Sequence, residues 1–270
     1  MRRLLVMLSL VASACSGYEA GPTSPPPPKP AAVLLKDVEI PNLPSPFYHF
    51  EYDDAGNVRV ASFASELRRY DVSYAGGRLD VMQNNIVVNK DRLTYLYDNA
   101  GRVSEVRYAD SLGVVFTKVT FAYTGAKLMT LHRERILNQV VIPDKDMSFS
   151  YDAQGNVLEV TEHHPLIAGV QDETTVVDRY EQYDSGINVD GFSLIHTEFF
   201  DHLILLPTVQ LQKGNPGRVT RTGNGLTYRI DYTYTYDAQN RPVTKHGQGT
   251  FTNGADAGNG FQTNSAFSYY

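Results

Sequence analysis

Apolar and polar positions alternate with period two over most of the chain beyond residue 47. In LTYRIDYTYTY, residues 226–236, Leu226, Tyr228, Ile230, Tyr232, Tyr234 and Tyr236 fall on one face, and Thr227, Arg229, Asp231, Thr233 and Thr235 on the other. A helix cannot sort eleven residues this way, so the pattern predicts a strand with one buried face. Val115, Thr117, Val119, Phe121 and Tyr123 alternate likewise, as do Leu93, Tyr95 and Tyr97, and Met147, Phe149 and Tyr151. No stretch shows a helical period or a capping box.

The apolar runs end at a recurring turn. YDDAGNV (52–58) returns as YDNAGRV (97–103), YDAQGNV (151–157) and YDAQNRP (236–242). In this long form Asp53, Asp98, Asp152 and Asp237 open a type I turn, where a carboxylate accepts hydrogen bonds from the turn backbone. Gly56, Gly101 and Gly155 supply the left-handed residue that follows, and Asn240 replaces them in the fourth copy. Tyr52, Tyr97, Tyr151 and Tyr236 close the apolar face of the incoming strand. A tighter form occurs as YAGGRL (74–79) and YTGAKL (123–128), a blurred one as YDSGIN (183–188), and a degenerate one around GNPGRV (214–219). The markers Tyr52, Tyr74, Tyr97, Tyr123, Tyr151 and Tyr183 stand 22 to 32 residues apart, and Tyr236 follows after 53. Repetition at this period is architectural.

Each marker joins two strands, which predicts an all-β antiparallel meander of YD-type hairpins with roughly 12 to 16 strands. Accumulated twist curls such a sheet into a barrel or half-barrel, with the tyrosine-rich face inside and threonines and charges outside. The loops that differ between units, and so would carry any site, are 84–91, 132–146, 163–178 and 200–217. TNGADAGNGFQTN, residues 252–264, reads as a flexible loop between the last two strands.

The Y-D-x-x-G-[NR]-V copies at 52, 97 and 151 resemble the YD repeat of the RHS/YD family. Their alternation with Y-x-G-x-[RK]-L, behind the N-terminal features described next, more closely resembles YD-repeat lipoproteins of uncharacterised function from Bacteroidetes, over about residues 47–270. The resemblance implies a barrel-like sheet at the outer membrane and brings no catalytic residues. The shell-building role of large RHS proteins does not carry over to so short a chain.

The N-terminus sets the address. Met1-Arg2-Arg3, the apolar run Leu4–Val11 and Ala12-Ser13-Ala14 read as a signal peptide over residues 1–14. Cys15, the single cysteine, follows at once, as in a bacterial lipobox, which makes it the expected lipidation site. Residues 15–46 then form a tether, with six prolines in 16–32 reaching roughly 50 Å as polyproline II. Residues 47–270 form a single β-domain. The formal charge of −6 becomes −8 without Arg2 and Arg3, which argues against nucleic acid as a partner.

Catalytic and cofactor signatures are missing: there is no G-x-S-x-G, P-loop, HExxH or paired CxxC. His163 and His164 are adjacent, so a strand points them to opposite faces and they read as surface or structural residues, not a metal pair. Asp144 and Asp146 in PDKDM read as a charged turn, and NVDG (188–191) as a hairpin. No metal ligand, cofactor residue or catalytic residue is assigned. The expectation is therefore a cell-envelope protein, attached to the membrane through lipid on Cys15, that binds a glycan or an envelope protein partner or serves a structural role. The alternatives are an integral outer-membrane β-barrel, which period-two strands and the C-terminal FSYY suit, or an enzyme with a spatially assembled site. Glu105 and Glu159, in phase with Val103 and Val157, stand where a spanning barrel would meet lipid.

Overall fold

The computed structural model describes residues 33–86, 90–198 and 201–270. Sixteen strands follow one another: β1 (Leu35–Glu39), β2 (Tyr48–Tyr52), β3 (Val58–Phe63), β4 (Arg68–Ala75), β5 (Arg78–Asn84), β6 (Arg92–Tyr97), β7 (Val103–Ala109) and β8 (Val115–Thr124) in the first half. The second half holds β9 (Lys127–Leu137), β10 (Val140–Tyr151), β11 (Val157–His164), β12 (Thr174–Glu181), β13 (Arg218–Gly223), β14 (Tyr228–Tyr236), β15 (Pro242–Phe251) and β16 (Gly260–Tyr269). Each pairs antiparallel with the next, and β1 closes on β16, so the sheet is a complete barrel. Closure leaves no unpaired edge strand. Because β1 pairs with both β2 and β16, the folded domain begins within the stretch 15–46 that the sequence assigns to the tether. The signal peptide, Cys15 and the proline-rich run lie outside the described residues.

The repeated turn builds one rim, and its chemistry is visible residue by residue. Asp53 Oδ1 accepts from the backbone N–H of Ala55 and Asn57 at 3.0 and 2.8 Å, and Asp98 does the same for Ala100 and Arg102. These bonds favour the charged form and hold both carboxyls below their usual range, with the Asn57 side chain the largest cause at Asp53. Gly101 takes φ +79°, and Asn240 takes φ 61° at the equivalent place. The tyrosines do more than close the core. Tyr52 donates its hydroxyl to the Leu35 carbonyl at 2.8 Å, Tyr74 to Val58 at 3.0 Å, Tyr97 to Leu79 at 2.6 Å, Tyr123 to Val103 at 2.8 Å and Tyr151 to Leu128 at 2.7 Å. From Tyr74 onward each phenol thus ties its own turn to the strand that leaves the preceding turn, while Tyr52 ties its turn to the start of β1. The basic residue of each turn then lies over the next tyrosine: Arg78 over Tyr97 at 5.3 Å, Arg102 over Tyr123 and Lys127 over Tyr151 at 4.9 Å. Neighbouring repeats are stitched by a hydrogen bond and a cation–π contact.

Cross-strand partners share a face, so the register sorts the wall from the lumen. Tyr48 pairs with Phe63, Phe50 with Ala61, Leu93 with Tyr108, Tyr95 with Val106 and Phe149 with Val160; all are buried and face inward. The alternate positions carry polar and ion pairs on the outer wall: a hydrogen bond between His49 and Asp37 at 2.6 Å, and ion pairs of Arg107 with Glu105 at 2.5 Å, Lys118 with Glu134 at 2.6 Å and Arg218 with Asp231 at 2.6 Å. Glu105 and Glu159 stand on this wall. Val103 and Val157 do not share their phase: a bulge after each turn resets the alternation, and both valines are buried in the lumen.

Four local expectations are corrected. Residues 132–146 are mostly strand: β9 and β10 form a long hairpin about Asn138 and Gln139, both with positive φ. Asp144 and Asp146 lie within β10, not in a turn, and a bulge between Pro143 and Lys145 sends Asp144 into the lumen. The bulge also accommodates the proline, which cannot donate to the ladder. NVDG leads into a short 3-10 helix, Gly191–Leu194, instead of a hairpin. Residues 260–264 belong to β16, because polar Gln262 and Asn264 suit a wall that faces away from the core.

Candidate functional site

The connection from β12 to β13, residues 182–217, enters the lumen instead of turning on the rim. Two markers prepare this departure. YDSGIN and GNPGRV each lack the complete turn chemistry, and here they splice together: the Asp184 N–H donates to the Asn215 carbonyl at 3.1 Å, and Asp184 Oδ1 accepts from the Asn215 N–H at 3.0 Å. Between them the chain carries its own apolar residues, Ile195, Leu203, Ile204 and Leu211, all buried against the barrel core. Two histidines anchor it to the tyrosines. His196 Nε2–H donates to the Asp201 carbonyl at 3.2 Å, leaving Nδ1 to accept from Tyr48 Oη at 2.8 Å. Burial pushes the His196 ring below its usual range, so it is neutral near pH 7. His202 sits between Tyr70 Oη at 2.6 Å and Asp91 at 3.1 Å.

Opposite the tip of this segment lies an ion network. Arg133, inward on β9, reaches Asp144 and Asp201, and Arg135 holds the other oxygen of Asp144 at 2.6 Å. Lys145 is 2% exposed, and its Nζ donates to Thr197 at 3.0 Å, Glu198 at 3.1 Å and Asp201 at 3.2 Å. Burial alone would raise the Glu198 carboxyl, but the Lys145 and Arg133 charges outweigh it and hold it below the usual range. Glu162 and His164, two apart on β11, share the inward face, and their ligand atoms lie within 4.8 Å of those of Glu198. Lys145 Nζ stands 3.9 Å from Glu162, so an ammonium already balances this cluster. His163 points the other way, onto the wall near Asp146 and Glu173.

Two cavities flank the inserted segment. One, of about 380 Å3, lies between Tyr108, Phe116, Arg133, Asp144, Asp201 and His202. The other, of about 320 Å3, lies between the segment and β11–β15, lined by Glu162, Asp178, Asp190, Arg221, Tyr228 and Lys245. Asp178 and Arg221 form a bidentate pair at 2.8 and 2.5 Å, and Lys245 meets Asp190 at 3.3 Å. On β15, Gly249 makes room for the Phe261 ring, with which a Cβ there would collide. The turn residues named from sequence all lie on the rim, away from these cavities. The lumen residues from β9, β10, β12 and β13 leave no local motif, since they converge only when the sheet closes.

No protein-family model matches the chain, and no curated protein is similar to it. Among solved structures, it is similar to a porin-like protein from Bacteroides uniformis ATCC 8492, at 12% identity, over 83% of this chain and 89% of that one, with a TM-score of 0.55. It is also similar to a porin-like protein from Bacteroides vulgatus ATCC 8482, at 17% identity, over 88% of this chain and 99% of that one, with a TM-score of 0.54. The fold is the closed antiparallel barrel that these structures share. This overturns the resemblance to YD-repeat lipoproteins of the RHS/YD type, because the full-length likeness is to porin-like structures. The Y-D-x-x-G turn is short enough to recur wherever an up-and-down barrel needs a bulged type I hairpin.

Proposed function

We propose that the protein is a porin-like barrel held at a bacterial outer membrane, with its wall in water and its lumen used for binding, not conduction. The porin-like neighbours support the outer-membrane address and fit the integral-barrel expectation better than the lipid-anchored module. A lipid on Cys15 remains part of this proposal as the means of attachment. The observation that carries the binding role is the filled lumen. A sixteen-stranded barrel is wide enough for an aqueous channel, yet here Leu203, Ile204 and Leu211 of the inserted segment pack into the core.

The cavity beside β11–β15 supplies the ligand chemistry. Its acids and bases are largely paired with one another, Asp178 with Arg221 and Asp190 with Lys245, so it offers donors and acceptors with little net charge to attract an ion. A neutral polyol of monosaccharide or disaccharide size fits that description. Calorimetric titration of a panel of neutral sugars tests it. At least one is expected to bind, and Asp178→Asn, which keeps the shape but removes the charge, is expected to weaken binding about tenfold. Absence of binding across the panel at millimolar sugar contradicts it. A second reading, a barrel that spans the membrane with the inserted segment as its plug, is favoured by the neighbours' porin-like description.

A further inference from the structure

The two ends of the barrel differ in kind. Seven connections, from β2–β3 to β14–β15, leave the wall at the end of the tyrosine turns, six of them turning on that rim and β12–β13 entering the lumen from it, and eight, from β1–β2 to β15–β16, lie at the opposite rim. Among the described residues, six of those eight expose a large aliphatic side chain at or beside the tip: Leu43, Leu67, Leu112, Val140, Leu166 and Leu226. Val114, Val141 and Val170 add a second at three of them, and Leu112 is 87% exposed. The turn rim offers Ala, Gly and Gln at its tips instead, as in DDAG, YAGG and AQG. Val243, beside the last tyrosine turn, is the exposed aliphatic side chain of the opposite end among the described residues; scattered surface leucines need no explanation, but so strong a concentration at one end does.

From this asymmetry we infer that the rim carrying Leu112, Val140, Leu166 and Leu226 rests on a lipid bilayer surface, with these side chains in the boundary between headgroups and acyl chains. The tips belong to separate connections distributed around a closed barrel, so they form a ring without a groove to seat one peptide or helix. A planar apolar phase receives such a ring without shape complementarity, and immersion of loop tips leaves the charged wall in water. At the same rim Glu66 is paired with Arg69, and Asp110, Asp172, Glu173 and Asp256 outnumber the exposed Lys90, which favours a zwitterionic surface over an anionic one. The chain upstream of Leu35 leaves at the turn rim, where Leu34 accepts from the Tyr270 N–H. The inference rests on the water-facing wall, not on the identity of the lumen's ligand.

Vesicle flotation tests it with the chain from residue 15 onward carrying Cys15→Ser, so that no lipid is attached. Phosphatidylethanolamine–phosphatidylcholine vesicles are expected to carry this protein upward. A variant combining Leu112→Ser, Val140→Ser, Leu166→Ser and Leu226→Ser, all at exposed positions, is expected to lose at least about tenfold in partitioning, with an unchanged circular dichroism spectrum and detergent-free sedimentation. Flotation unaffected by the four substitutions overturns the inference, as does failure of the parent protein to float. Rim-dependent dimers without flotation overturn it too, and assign the ring to a second copy of this chain. Insolubility without detergent would instead count against the water-facing wall.

Discussion

At the scale of single residues, the repeated turn owes its stability to groups that reach across repeats. Tyr97 donates to Leu79, eighteen positions earlier, and Arg78, from that same preceding turn, covers the Tyr97 ring. Tyr97→Phe removes one hydrogen bond while keeping the ring, and the expected loss is about 1 kcal/mol. Urea unfolding should show it as a lower midpoint with an unchanged slope. An unchanged midpoint would mean that water replaces the phenol at no cost. The Asp and Gly or Asn positions of the turn were legible in sequence because their bonds close within five residues. The phenol's acceptor was not, since it belongs to the neighbouring repeat. The recurrence of Arg or Lys before the branched residue, as at Arg78, Arg102 and Lys127, was a signal for the stacking that periodicity alone does not interpret.

Among the elements, the inserted segment is what departs from repetition. Its existence was written in the 53-residue gap after Tyr183 and in the worn markers on either side, but its destination was not. Apolar Ile195, Leu203 and Leu211 carry no period that separates a surface loop from a lumen filler. Only closure of the sheet creates the space they occupy. Lys145 was hidden for a related reason: PDKDM reads as a charged turn until the bulge beside Pro143 turns two of its charges inward. Lys145→Met would leave Glu198, Asp201 and Glu162 facing one another without the ammonium, and the expected cost is roughly 3–5 kcal/mol. Lys118→Met, on the wall, should cost less than about 1 kcal/mol. Equal losses by chemical denaturation would show that the ion network is not what holds the segment.

For the whole molecule, the inward sorting of tyrosines followed directly from period two and closure from the accumulated twist of many hairpins, but the charges expected outside divide between the wall and the lumen, where Arg133, Asp144, Lys145 and Asp178 are buried. The Y-D-x-x-G motif was a poor guide to kinship, because it encodes a turn that any large meander requires. The wall gives the molecule its central contradiction: a closed barrel similar in fold to porin-like structures, with ion pairs such as Arg107–Glu105 and Lys118–Glu134 where a spanning barrel presents an apolar band about 25 Å tall. Analytical sedimentation with circular dichroism, on the chain from residue 15 onward carrying Cys15→Ser and without detergent, addresses it directly. A water-facing wall predicts a folded, β-rich species that sediments as a defined particle. Folding that occurs only in detergent micelles would contradict it and place these strands in the membrane.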